Sequence, residues 1–97
     1  MDISFELHGD TFLWDQEKAI QNFNKHGVKF EEAATVFGDP MFKLDNADRN
    51  DEKRDAAIGF DERGRLLYVV HIEIEDEHIR IISARRATDA EEFYYAN

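Results

Sequence analysis

The chain has 97 residues, no cysteine and a formal net charge of −10, with 22 acidic against 12 Lys and Arg side chains. That length suits one domain with a modest core, and the lack of cysteine excludes disulfides and thiolate metal sites. A hydrophobic content of 42% argues for a folded domain, while the acidic balance confines any nucleic-acid contact to a local patch and favours a basic protein partner.

The N-terminal stretch MDISFELHGD lacks the basic start and apolar run of a signal peptide. No apolar run approaches the ~18 residues that cross a bilayer. The expectation is a soluble, cytoplasmic protein without a membrane role. Ile3, Phe5 and Leu7 alternate with Ser4, Glu6 and His8, and Gly9-Asp10 interrupts before Thr11-Phe12-Leu13-Trp14. That pattern predicts one or two short strands, folded as a hairpin if both form.

Asp15 caps a predicted helix over 16–26, with Ile20 and Phe23 as its apolar stripe and Gly27 as its stop. A second helix follows from Phe30, Ala33, Ala34 and Phe37 at i, i+3, i+4 and i+7, with Glu31 and Glu32 in its first turn. Gly38-Asp39-Pro40 ends it. Residues 43–53, KLDNADRNDEK, carry almost no apolar side chain and read as a mobile loop.

From Arg54 the period becomes two, predicting strands near 54–60, 65–75 and 78–85 joined by Asp61-Glu62-Arg63-Gly64 and Glu75-Asp76-Glu77. Thr88-Asp89-Ala90-Glu91 is a capping-box sequence that opens a C-terminal helix. The order is an α+β domain: an antiparallel sheet of about four strands with the helices packed on one side. One domain covers 1–97, with 1–11 as an N-terminal extension strand.

His8, His26, His71 and His78 have no metal-ligand spacing, and no phosphate loop, HExxH or GxSxG occurs. The more informative stretch is Ile79 to Thr88, IRIISARRAT, which holds three arginines and no acid. With unbroken alternation, Arg80, Ile82, Ala84 and Arg86 point to one face and Ile79, Ile81, Ser83 and Arg85 to the other. Arginine there can grip phosphate through forked, charge-assisted hydrogen bonds. It can equally brace the surrounding carboxylates, although exposed pairs of that kind contribute only ~0–1 kcal/mol. The residues alone leave both readings open. Lys25-His26-Gly27 adds a cationic spot at a helix C-terminus, for which dipole capping is the simpler account.

Several of these segments together resemble the BrnT toxin family. Phe12-Leu13-Trp14-Asp15, Lys25-His26-Gly27-Val28, Phe30-Glu31-Glu32-Ala33 and Phe37-Gly38-Asp39-Pro40 match its first half. Glu52 to Arg54, Leu66 to His71 and the whole of Ile79 to Thr88 match its second, so the resemblance spans about residues 12–95.

It implies a RelE-like fold and the toxin of a type II toxin–antitoxin pair, an endoribonuclease that cuts RNA and inhibits translation without metal or other cofactor. The implied partner is a BrnA-like antitoxin, basic and of ribbon-helix-helix type, in a 2:2 complex. Carried onto this sequence, Arg80 and Arg85 are the implied phosphate-binding catalytic residues, with His71 first and Glu73 or Glu52 next as general base. Lys25, Arg54 and Arg86 are the implied RNA contacts.

Members of the family that this sequence resembles often carry an arginine shortly after the His71 position and basic residues after the ARRAT segment. Here Ile72-Glu73-Ile74-Glu75 and Asp89-Ala90-Glu91-Glu92 stand instead. That loss of positive charge keeps open an alternative, a non-catalytic domain that only binds a partner protein.

Overall fold

The computed structural model describes residues 1–75 and 78–97, built around one six-stranded sheet. The chain runs β1 (Asp2–Leu7), β2 (Asp10–Asp15), α1 (Gln16–His26), α2 (Phe30–Ala34), a 3₁₀ turn (Thr35–Gly38), β3 (Lys43–Asn46), β4 (Asp55–Phe60), β5 (Leu66–Ile74), β6 (His78–Arg86) and α3 (Asp89–Ala96). The strand order is β1-β2-β6-β5-β4-β3. Every neighbouring pair is antiparallel except β2 and β6, which run parallel from Thr11↔His78 to Leu13↔Arg80. The sheet is therefore mixed and larger than the expected four antiparallel strands.

The two extra strands sit at the edges. The N-terminal alternation forms a true hairpin, turning at His8 and Gly9 with φ of 51° and 87°, the left-handed pair that a tight hairpin requires. Residues 43–53 are not a loop but most of a second hairpin. β3 pairs with β4, the Arg49–Glu52 bridge extends the ladder, and Asn50 and Asp51 turn it at φ of 51° and 64°. An edge strand with little buried surface needs few apolar residues, so its composition resembles a loop.

The helix signals act where expected at their ends. The Asp15 carboxylate accepts from the Lys18 amide, and Gly27 closes α1 in the left-handed conformation, φ 70°. Thr88 and Glu91 form the reciprocal capping box of α3. The second helix tightens into 3₁₀ geometry at Thr35, whose hydroxyl donates to the Glu32 carbonyl at 2.6 Å; Ser and Thr side chains compete with the helical ladder in this way. The turn between β4 and β5 is tied down by Asp61, which accepts from the amides of Arg63 and Arg65 and from the Arg65 guanidinium. Arg65 also reaches Glu32 at 3.0 Å. The predicted Glu75-Asp76-Glu77 turn includes two residues outside those described.

One face of the sheet carries the main core: Phe12 and Trp14 from β2, Leu67 and Val69 from β5 and Ile79, Ile81 and Ala84 from β6, covered by Val28, Phe30, Ala33, Ala34 and Val36. Trp14 meets Phe30 edge-on at 5.8 Å. The helices do not all gather here. Ala56 and Ile58 are fully buried outside this cluster, on the other face. There α3 is held by Tyr94 donating to the Leu44 carbonyl and by the Lys43 ammonium donating to the Tyr94 carbonyl. Tyr95 donates to Asp39, an interaction that pushes its phenol up to about 12.

α1 differs most from its predicted role. Ile20 and Phe23 are 55% and 45% exposed, and the residue that α1 buries is Asn22. The parallel ladder between β2 and β6 stops at Arg80, so the next backbone groups of β6 need another partner. The Asn22 amide supplies it, accepting from Ala84 N at 3.0 Å and donating to Ala84 O at 2.9 Å and Val28 O at 3.2 Å. α1 thus lies along a strand edge and is anchored through a polar group. Replacing Asn22 with alanine leaves the Ala84 amide and carbonyl buried without partners. We expect a loss of roughly 2–4 kcal/mol of stability, seen as a lower urea midpoint at unchanged slope. An unchanged midpoint would show that water replaces the amide.

Candidate functional site

The β5–β6 ladder contains one irregularity. Val70 pairs with Ser83 and His71 with Ile81, leaving Ile82 as an extra residue in β6. This bulge breaks the alternation on which the face assignment of the arginines rested. Ile79, Ile81 and Ala84 are all buried in the core, so Arg80 and Arg85 share the opposite, outer face. Arg86 pairs with Leu67 on the core side of the sheet and is exposed at the strand's end, away from the other two.

The pairing of Asp55 with His71, continued by one residue, sets Arg54 beside Ile72, and Ile72 pairs with Arg80. Arg54 and Arg80 therefore flank β5 on the outer face, about two strand spacings, or roughly 10 Å, apart. Next to them runs a groove of ≈ 320 Å³ lined by Lys18, Gln21, Asn22, Lys25 and His26 of α1, by Arg54, and by Ile82 and Ser83 of the bulge. Among the described residues no carboxylate lines it. The structure thus brings Arg54, Arg80, Arg85 and Lys25 to one face.

It does not bring His71 or Glu73 there. His71 is fully buried on the core face, its ring edge-on to Phe37 at 4.9 Å and its Nδ1 3.1 Å from the Val69 carbonyl. Glu73 lies on the same side, exposed, beside Asp10 and His78. The sheet itself separates both from the arginines. Glu52 is nearer, bound to the Arg54 Nε at 2.6 Å.

Lys18 and Ser83 join the groove without having been singled out by the sequence, and His26 joins it from the cationic end of α1. Lys18, Gln21 and Lys25 stand at i, i+3 and i+7, a spacing that could have marked a polar helix face. Ser83 could not have been found this way, because the bulge that turns it into the groove has no signature in the alternation.

Each arginine on this face holds a carboxylate. Arg85 grips Glu91 with both terminal nitrogens, at 2.7 and 2.9 Å, and its guanidinium stacks over Tyr68 at 4.3 Å. Glu91 is also the capping-box residue of α3, so Arg85 fastens that helix to the sheet. Arg80 grips Asp2 of β1 at 2.7 and 3.4 Å, and this hydrogen bond raises the arginine's pKa and lowers that of the acid. Among the described residues no three histidine or carboxylate side chains converge as a metal site would require.

The profile of the ribonuclease toxin BrnT of type II toxin–antitoxin systems matches residues 14–91. The chain belongs to the BrnT family. The 1.1 Å crystal structure of the Brucella abortus ribonuclease toxin BrnT is similar to it, with 26% sequence identity and a TM-score of 0.61 over 78% of this chain and 94% of that one. No curated protein sequence matches the chain. All the outer-face arginines lie within the BrnT match, whereas β1 with Asp2 lies before it.

The Arg85–Glu91 pair makes a pH prediction. Partial burial pushes the Glu91 carboxyl up, but hydrogen bonds from Arg85 and the Thr88 amide outweigh this and hold it below its ordinary value of 4.5. A group depressed in the folded state adds stability above its unfolded value and loses it as pH falls through the folded one. Melting followed from neutral pH to below 4.5 should therefore fall more steeply for the native chain than for Glu91→Gln. Parallel curves would show that the pair adds nothing to folding.

Proposed function

We propose that this chain is a metal-independent endoribonuclease toxin that cleaves RNA, inhibits translation and is neutralised by a BrnA-like antitoxin. The observation that carries the reading is the clustering of Arg54, Arg80 and Arg85 on the outer face of the sheet, beside a groove that Lys18 and Lys25 make basic. In a protein of net charge −10, such a patch provides the local attraction that a polyanion needs.

RNA can be cut without metal when its ribose 2′-hydroxyl attacks the adjacent phosphorus. A new 2′-O–P bond forms, the 5′-oxygen of the next nucleotide leaves, and a 2′,3′-cyclic phosphate remains. Charge grows on the phosphoryl oxygens in that transition state, and preorganised guanidinium donors stabilise it. In this reading Arg80 and Arg54 contact the reacting phosphate and Lys18 and Lys25 hold neighbouring phosphates. Arg85, stacked on Tyr68 and paired with Glu91, positions the end of β6.

Proton transfer is assigned to His26, which lines the groove. His71 and Glu73 take no part, because the sheet stands between them and the arginines. The antitoxin, basic and of ribbon-helix-helix type, answers the acidic remainder of the surface, and two copies of each protein complete the family's assembly.

A second reading, a non-catalytic domain that binds only a protein partner, is favoured by the carboxylates already seated on Arg80 and Arg85. Induced expression separates the two. Under the first, growth stops, RNA in the cell is cut, and Arg80→Ala and Arg54→Ala each slow cleavage by about a hundredfold or more while circular dichroism stays unchanged. Continued growth with soluble, antitoxin-free protein would favour the second.

A further inference from the structure

The Arg80–Asp2 contact has the geometry of a guanidinium fork on a paired-oxygen anion: two nitrogens face two oxygens, at 2.7 and 3.4 Å. A phosphate offers the same two oxygens to the same fork. We propose that Asp2 is a built-in phosphate mimic that occupies Arg80 and must leave before RNA can bind there. This rests on the reading of the outer-face groove as an RNA site.

Three features set this pair apart from the Arg85–Glu91 pair on the same face. First, its carboxylate is more open. The Asp2 side chain is 57% exposed, against 17% for Glu91. Exposed pairs are weak and exchange readily. A phosphodiester with further phosphates on Lys18, Lys25 and Arg54 has enough contacts to displace one carboxylate.

Second, Asp2 does no other structural work, since its side chain serves no cap or turn among the described residues. Glu91, by contrast, closes the capping box of α3. Releasing Asp2 therefore leaves the fold intact, whereas releasing Glu91 frees a helix.

Third, Asp2 comes from the outermost strand. β1 touches the rest of the sheet only through β2 and lies before the segment that matches the BrnT profile. The arginine lies within the segment that matches the BrnT profile and the carboxylate lies before it. The pair is thus a lock at the rim of the site. It keeps Arg80 neutralised while the groove is empty and gives way to a ligand that also satisfies the neighbouring cations.

The test is binding of a short RNA carrying 2′-O-methyl riboses, which cannot be cleaved, by fluorescence anisotropy at fixed salt. Asp2→Asn keeps the side chain's shape and removes its charge. It should tighten binding by about two- to fivefold, and the gain should vanish when Arg80→Ala is also present. Glu6→Gln, an acid of the same strand, controls for the general loss of negative charge and should give a smaller gain that persists with Arg80→Ala.

Equal gains from Asp2→Asn and Glu6→Gln, or no gain from Asp2→Asn while Arg80→Ala and Arg54→Ala both weaken binding, would overturn the lock and leave the RNA site standing. If neither arginine variant changes binding, the RNA site itself is wrong and the lock falls with it.

Discussion

One residue without a partner, Ile82, governs what this protein can present to another molecule. β6 has to give Ile79, Ile81 and Ala84 to the core and keep its guanidinium groups out of it. Strict alternation cannot do both, because it would send Ala84 to the same face as Arg80. An extra residue between Ile81 and Ser83 resolves the conflict. Burying an unpaired guanidinium costs far more than one disrupted ladder position, so the bulge is the cheaper solution. Its consequence is that Arg80 and Arg85 look out from the same face, with Ser83 between them.

The bulge also needs support, and α1 provides it. Beyond Arg80 the β6 edge has lost β2 as a neighbour, and Asn22 pairs with Ala84 much as a strand would. One buried amide therefore does two things. It completes the hydrogen bonding of a strand edge, and it fixes where α1 lies. That position brings Lys18, Lys25 and His26 against the bulge. The cationic groove is a by-product of satisfying backbone groups, and this explains why it is built on rigid elements although it lies at the surface.

Much of this was legible along the chain and little of it across the chain. Asp15, Gly27, Thr88 and Glu91 mark helix ends through local chemistry, and local chemistry is what a sequence displays. The strands from 55 to 86 alternate clearly enough to be placed within a residue or two. What stayed hidden depends on distant partners. The parallel pairing of β2 with β6 joins segments far apart in sequence, and the edge strand β3 is too polar to announce itself. The apolar pair Ile20 and Phe23 suggested a core stripe, but α1 is oriented by a polar anchor instead. His71 has the right chemistry for a general base and the wrong side of the sheet, which only the register reveals. BrnT membership was readable from the motifs, whereas the faces on which their side chains stand were not.

The opposing charges on the outer face now separate into two kinds. Arg85 is bound by a helix-capping glutamate and lies over an aromatic ring, so its charge is spent inside the fold. Arg54 and Arg80 meet carboxylates that are 49% and 57% exposed, partners that water or another anion can replace. An acidic protein that kept such cations bare would attract its own loops and other copies of itself. Pairing them loosely avoids this at little cost to folding, while a ligand with several phosphates can still outcompete single carboxylates. Of the arginines in IRIISARRAT, Arg85 braces the fold through Glu91 and Tyr68, while Arg80 is paired with an exposed carboxylate.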